Sequence, residues 1–273
     1  MTGPLRLLGI FPHPDDETLG VGTTLAKYAA EGVETYLLCA TRGEGGWSGP
    51  ADKDPGPQAM ARIREAELDC AARALGLRDV CLLDYIDGEV DQADPRVMIN
   101  RLVSYIRRVR PQVVITYAVD GVYGHPDHIA MSQFTAAALV CAADAQYRDQ
   151  DDQPPHRVAK FYHMAQPHEP VQWWIDKIGP LTMQIDGVER SFQSWEPWAI
   201  TTVIDGRANF DVFWAAMLCH QSQHPNFQTI FDLPRADLME MFGMGSFIRV
   251  YSMVNGGRAV ETDLFEGLRE SNR

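Results

Sequence analysis

The stretch Leu5-Arg6-Leu7-Leu8-Gly9-Ile10-Phe11-Pro12-His13-Pro14-Asp15-Asp16-Glu17 decides the fold class. Leu5 to Pro12 reads as a buried strand, and Glu17 to Glu31 as a helix with apolar positions at Leu19, Leu25 and Ala26. The pattern then repeats along the chain. Glu34 to Ala40 reads as a strand, Gln58 to Leu75 as a helix closed by Gly76, and Val80 to Leu83 as a short strand. Arg96 to Arg108 reads as a helix that must stop near there, because Pro111 disfavours helical geometry before it. Gln112 to Tyr117 is an almost wholly apolar strand, and Asp127 to Ala145 an apolar helix. Apolar strands alternating with helices predict an α/β fold, a mostly parallel sheet with helices on both faces. Beyond the acidic loop Asp149 to Pro155 the rhythm loosens. Strands are expected near Val158 to Met164, Ala199 to Ile204 and Phe247 to Tyr251, and a helix near Ala208 to His220. With no internal repeat, the 273 residues read as one domain. Residues 1–148 would be its motif-bearing core, and 149–273 an elaborated C-terminal third lining the pocket.

Composition narrows the class. There are 24 Lys and Arg against 37 Asp and Glu, a net charge of −13 that argues against a nucleic-acid partner. Hydrophobic residues make up 45% and charged residues 22%, which is globular rather than disordered composition. No apolar run approaches the roughly 18 residues of a membrane helix. The first apolar stretch is interrupted by Pro12, His13, Asp15 and Asp16, so it does not read as a signal peptide. Cys39, Cys70, Cys81, Cys141 and Cys219 are odd in number, widely spaced and without a CxxC pair. They read as buried free thiols of a cytoplasmic protein rather than disulfides.

Chemistry concentrates at two places. His13 to Glu17 follows the first strand, and ligands of parallel sheets bind outside the carboxyl ends of strands. His13 and Asp16 are three apart, so they can face one side while Asp15 points elsewhere. An imidazole and a carboxylate make two-thirds of a catalytic zinc triad. Tyr123-Gly124-His125-Pro126-Asp127-His128 follows the strand Gln112 to Tyr117 and opens another helix. The two clusters offer four to six candidate ligands, yet catalysis needs about three and an exchangeable water. Some of these residues should therefore be spared for proton transfer. The pair Gly20 and Gly22 lacks the third glycine of a dinucleotide fingerprint.

Phe11-Pro12-His13-Pro14-Asp15-Asp16-Glu17-Thr18-Leu19-Gly20 resembles the AHPDDE signature of the LmbE/PIG-L-like zinc-dependent N-deacetylases, with Pro12 where alanine is usual. Gly124-His125-Pro126-Asp127-His128 resembles that family's second motif, and Thr41-Arg42-Gly43-Glu44-Gly45 fits the loop between them. The resemblance spans roughly the first half of the chain and implies a Rossmann-like sheet. It implies His13, Asp16 and His128 as metal ligands, with zinc as the metal and ferrous iron or another divalent ion as the alternative. Asp15 would be the general base, His125 the general acid with Asp127 orienting it, and Tyr123 a group that polarises the amide carbonyl. Arg64 and Asp87 match positions that touch sugar hydroxyls. Tyr123 makes the likeness strongest to the mycothiol-related branch of deacetylases and amidases, and the family often has a His and a Gln lining the pocket near His220 and Gln223.

The expected activity is removal of an N-acetyl group from a small N-acetylglucosamine-type conjugate. An amidase acting on a larger acyl amide, such as a thiol conjugate, would use the same metal site. A non-catalytic metal- or sugar-binding module is a third reading, against which Asp15 and His125 both stand. No membrane partner is expected, and a homo-oligomer is left open. Trp173, Trp174, Phe192, Trp195 and Trp198 cluster in the C-terminal third and are expected to form core before a sugar platform.

Overall fold

Each of the first four strands is read out of an apolar run, and each leads into a helix. The computed structural model describes residues 3–185 and 187–269. β1 (Arg6–Phe11) leads to α1 (Asp16–Ala30), β2 (Glu34–Thr41) to α2 (Pro57–Leu75), and β3 (Asp79–Tyr85) to α3 (Pro95–Val109). β4 (Val113–Tyr117) is followed by a single turn, α4 (Gly121–Gly124), and by α5 (Pro126–Ala143). The C-terminal third contributes β5 (Lys160–Met164), α6 (His168–Ile178), a hairpin of β6 (Thr182–Ile185) and β7 (Val188–Ser191), and β8 (Thr202–Asp205). After these come α7 (Phe210–Met217), α8 (Gln228–Phe231), α9 (Arg235–Phe242) and β9 (Met244–Ser252).

Seven strands form one sheet in the order β3-β2-β1-β4-β5-β9-β8, and the hairpin stands apart. β1 through β5 pair in parallel, while β9 runs antiparallel to both β5 and β8. Alternate residues of the inner strands enter two cores, as the pleat demands. Leu7, Phe11, Leu37 and Ile115 meet Val21, Leu25, Leu68 and Ala216 of α1, α2 and α7. Leu8, Ile10, Leu38 and Val114 meet Met98, Leu102, Met131 and Phe134 of α3 and α5. Both faces are therefore covered, and the mostly parallel α/β expectation holds. Among the described residues no helix is long and apolar enough to cross a membrane.

Departures from the sequence reading fall in the C-terminal third. The helix expected over Ala208 to His220 is the shorter α7, succeeded by a 3₁₀ segment over Gln221–Phe227. α6 and the β6–β7 hairpin were not anticipated, because the hairpin strands are mostly exposed and lack an alternating apolar face. The expectation of free thiols is corrected at two positions. Cys70 on α2 and Cys219 just past α7 form a disulfide between residues 149 apart in sequence. α2 and α7 pack side by side, and that proximity is invisible in the spacing of cysteines. Cys39, Cys81 and Cys141 are free.

Candidate active site

From β1 the chain moves outward to β2 on one side, and from β4 to β5 on the other. β1 and β4 are thus neighbours at the switch point of the sheet, where a crevice opens at the strands' carboxyl ends. The loop after β1 carries His13 and Asp15 and runs into Asp16 at the start of α1, while Tyr123 lies on the single turn α4 and His125 just after it, with His128 on the first turn of α5. Asp15 has φ 101° and Val122 φ 70°, so both loops hold a non-glycine residue in left-handed backbone. Such geometry in a β-branched residue costs about 1–3 kcal/mol and persists where surrounding bonds hold it. Here Gln193 N–H donates to the Val122 carbonyl, and Asp120, which accepts from Val122 N–H, also accepts from Trp195 Nε1 at 2.8 Å.

His13, Asp16 and His128 are all buried and bring potential ligand atoms within 4.8 Å of one another. A second trio, His13, His125 and Asp127, satisfies the same criterion. Hydrogen bonding separates the two. Asp127 accepts from Gly88 N–H at 2.8 Å, Val90 N–H at 3.0 Å and His13 Nε2 at 3.0 Å, so its carboxylate is already saturated. His125 Nδ1 accepts from Asp127 N–H at 3.1 Å, which leaves the neutral ring's proton on Nε2. His128 has no hydrogen-bond partner at either ring nitrogen. Its ring stacks on Tyr117 at a centroid distance of 4.2 Å, and Tyr117 OH donates to Asp16 Oδ1 at 2.6 Å. An orphaned buried imidazole facing a carboxylate is what a metal ligand without its ion would present. The tie from His13 Nε2 to Asp127 matches the carboxylate support that ligating histidines receive.

Electrostatics give each of these groups a different protonation tendency. Arg64 faces Asp15 and Asp87, while His13 faces Asp16, Asp87 and Asp127, and His220 faces Glu17. Burial lowers the His128 pKa to about 3, keeping the ring neutral as a ligand must be. Burial works against the charge on Asp16, but the His128 and His13 rings and the Tyr117 hydrogen bond outweigh it and hold the carboxyl well down. Burial also opposes a charged His13, yet Asp87, Asp127 and Asp16 raise its pKa overall. Asp15 moves the other way. Burial lifts it to about 6 against the pull of Arg64, which suits a base at neutral pH. Burial, aided by His13, lowers the pKa of His125.

Arg64, from the middle of α2, is buried within the Gly-rich loop. Its guanidinium donates to Gly43 O at 3.0 Å, to Pro14 O, and to Asp15 Oδ2 at 3.1 Å. A Cβ at Gly43 or Gly46 would collide with that guanidinium, which accounts for glycine at both positions. Asp87 accepts from Gly45 N–H at 3.1 Å and lies 3.0 Å from His13 Nε2. Likewise Gly20 and Gly22 serve packing, since a Cβ at Gly22 would meet Phe213 at 2.9 Å.

One cavity is lined by His13, Asp15, Asp16, Arg64, Asp87, Tyr123, His125 and His128. Asp127 is absent from that lining and fully buried behind His13. It was expected to orient His125 but does so only through its backbone amide. Gln223 lines the cavity and donates to Gly46 O at 3.0 Å, whereas His220 lies behind it. His220 Nε2 is 2.9 Å from Glu17 Oε1, and Glu17 in turn accepts from Asp15 N–H. The sequence reading did not single out Glu17 in this role. Among the aromatics, Trp174 and Phe192 line the cavity, while Trp198 is 85% exposed.

A switch-point crevice with converging His and Asp side chains defines an α/β protein with a candidate metal site at the carboxyl edge of its sheet. The family model described as PIG-L, GlcNAc-PI de-N-acetylase, matches residues 8–139. The chain belongs to the PIG-L/LmbE family. It is 35% identical to a 1D-myo-inositol 2-acetamido-2-deoxy-alpha-D-glucopyranoside deacetylase from Kineococcus radiotolerans, over 81% of this chain and 69% of that one. A protein of the same name from Thermobispora bispora is 32% identical over 96% of this chain and 98% of its own. Among solved structures, the N,N'-diacetylchitobiose deacetylase of Pyrococcus horikoshii superposes with a TM-score of 0.66 at 20% identity, covering 90% and 83% of the two chains. The hydratase GalB of Pseudomonas putida superposes at 0.63 with 19% identity, over 93% and 100%. Likeness at that level concerns the fold, and the chemistry must come from the site.

Proposed function

We propose that this protein is a metal-dependent hydrolase that removes the N-acetyl group from an N-acetylglucosamine-type conjugate. The observation that carries the proposal is the buried His13–Asp16–His128 trio with Asp15 beside it, unbonded to it and poised near neutral pKa. The names of the curated relatives support the substrate class. His13, Asp16 and His128 would hold the metal, with zinc suited to N and O donors in an open site. When bound, such an ion lowers the pKa of water and polarises an amide oxygen.

The remaining steps belong to the chain. Asp15 accepts a proton from the attacking water, and Arg64 fixes the carboxylate by its 3.1 Å bond. His125 presents Nε2 to the leaving amine, which must be protonated before it departs, and acts as its acid in the imidazolium form, returning to the neutral ring held by Asp127 N–H once the proton has moved. Tyr123 keeps its hydroxyl proton, since burial and nearby carboxylates raise its pKa, and it donates to the carbonyl oxygen. Asp87 and Arg64 line the cavity and would be the groups that meet the sugar hydroxyls. Release of acetate from an N-acetylglucosaminide, abolished by chelator and restored by zinc, is the expected result. Activity confined to larger acyl amides would favour the amidase reading, and metal binding without hydrolysis would reject the enzyme.

A further inference from the structure

The cavity that opens from the trio has a volume of about 660 Å³, room for a sugar and a substantial aglycone. Its walls divide by chemistry. Every Asp, Arg and His in the lining (Asp15, Asp16, Asp87, Arg64 and the imidazoles) comes from the first half of the chain. Among the described residues that line it from Met164 to Gly245, none is charged. That wall is built from Trp174, Leu181, Phe192, Phe227, Ile230 and Phe242, interrupted by threonines and by carboxamides such as Gln184. Several of these residues belong to two apolar clusters separate from the sheet cores, so the wall is packed from behind.

The charges at the other end are already engaged. The terminal nitrogens of Arg64 bond Asp15 and two carbonyls, leaving only its buried Nε without a partner, and Asp87 is engaged by His13 and Gly45 N–H. A phosphate in the aglycone requires an Arg or Lys partner, and the net charge of −13 repels a dianion. A polyol requires a partner for each hydroxyl that it removes from water, and this wall offers them only at carboxamides and threonines such as Gln166, Gln184, Asn226, Thr182 and Thr229, while the aromatic and aliphatic residues between them offer none. An apolar group loses nothing there and gains by its burial. Resting on the deacetylase reading, we infer that the amino sugar carries a neutral, apolar aglycone, alkyl or aryl, seated against the wall of the C-terminal third. This separates the chain from relatives named for an inositol conjugate. Arg190, whose Nη1 would lie 3.3 Å from a Cβ at Gly124, stands outside the lining and is the cation that an anionic aglycone would have to recruit.

The test compares the methyl, octyl, myo-inositol and phosphate glycosides of N-acetylglucosamine on the zinc-loaded protein. In parallel, calorimetry compares binding of methyl and octyl glucosaminide, the amine products, which requires no turnover. The octyl substrate is expected to exceed the methyl and inositol substrates by at least about tenfold in kcat/KM, mainly through KM. The octyl amine should bind tighter than the methyl amine by a similar factor. Met183 lines the cavity and is half-exposed, so Met183→Glu places a charge on the wall without disturbing the core. It should raise the KM of the octyl substrate by more than that of the methyl substrate. Equal methyl and octyl binding, or preference for the inositol or phosphate glycoside, would overturn the inference while leaving deacetylation intact. Failure to hydrolyse any of the four rejects the deacetylase reading instead, and the amine-binding comparison still decides the aglycone.

Discussion

Asp15, Asp16 and His13 lie within four residues of one another, yet their surroundings give them three different tasks. Asp16 is held ionised between two imidazoles and Tyr117, His13 is gripped by Asp127, and Asp15 is lifted by burial toward neutrality. His128→Ala should lose most of the bound metal in elemental analysis. Asp15→Ala and His125→Ala should each retain it and lose about 10²–10⁴-fold in kcat. Should His125→Ala lose metal together with activity, the trio of His13, His125 and Asp127 is the true ligand set. Arg64 is the cation that draws Asp15 down against burial. Arg64→Leu therefore raises the pH at which Asp15 ionises, and the acidic limb of the kcat/KM profile should move to higher pH. Arg64→Lys should reverse part of that shift, and an unmoved limb would remove Asp15 from the role of base.

At the scale of elements, the second loop depends on the C-terminal third. Trp195 and Gln193 tie down Asp120 and Val122, and Ser222 bonds Glu67 of α2 through both its N–H and its hydroxyl at 2.7 Å. The Cys70–Cys219 bridge lies beside these contacts and closes a loop of 149 residues. Reduction, or the Cys70→Ala and Cys219→Ala pair, should cost about 2–4 kcal/mol in denaturant unfolding relative to the oxidised parent. A variant as stable as the parent would show that the link contributes nothing. The α/β half of these elements was legible in the sequence because continuous apolar runs and a proline or glycine mark strand and helix ends locally. The hairpin was not legible, since its strands are mostly exposed, whereas α6 does carry a helical apolar face at Val171, Trp174, Ile175 and Ile178 that the sequence reading passed over.

The whole sheet is closed by a buried charge. Glu261 accepts from Lys160 Nζ at 2.6 Å, Tyr162 OH at 2.8 Å and Thr202 Oγ1 at 2.8 Å, joining β5 and β8 to the C-terminal segment. Burial opposes its ionisation, but bonds from Lys160, Asn255, Tyr162 and Thr202 bring its pKa down from 4.5 to about 2. The unfolded chain thus takes up this proton first, so the stabilisation is complete above about pH 4.5 and fades as pH falls toward 2. Glu261→Gln should cost about 3–5 kcal/mol at neutral pH, because it strands the Lys160 charge. The gap in melting temperature between parent and variant should narrow below pH 4.5, and a constant gap would assign the loss to packing alone.

The sequence by itself determined the order of strands and helices in the first half, the two His- and Asp-bearing motifs and the family, because each is written in residues a few positions apart. It also placed His13, Asp16 and His128 at strand ends that a parallel sheet brings to one edge. Only the tertiary structure decided that Asp127 serves His13 across 114 residues, that Arg64 reaches Asp15, and that Cys70 meets Cys219. It likewise decided that uncharged aromatic residues of the last third line one cavity with His13, Asp16 and His128. The physical reason is the same for each: such pairings follow from which helix packs on which neighbour, and local periodicity records that a residue is buried but not beside what.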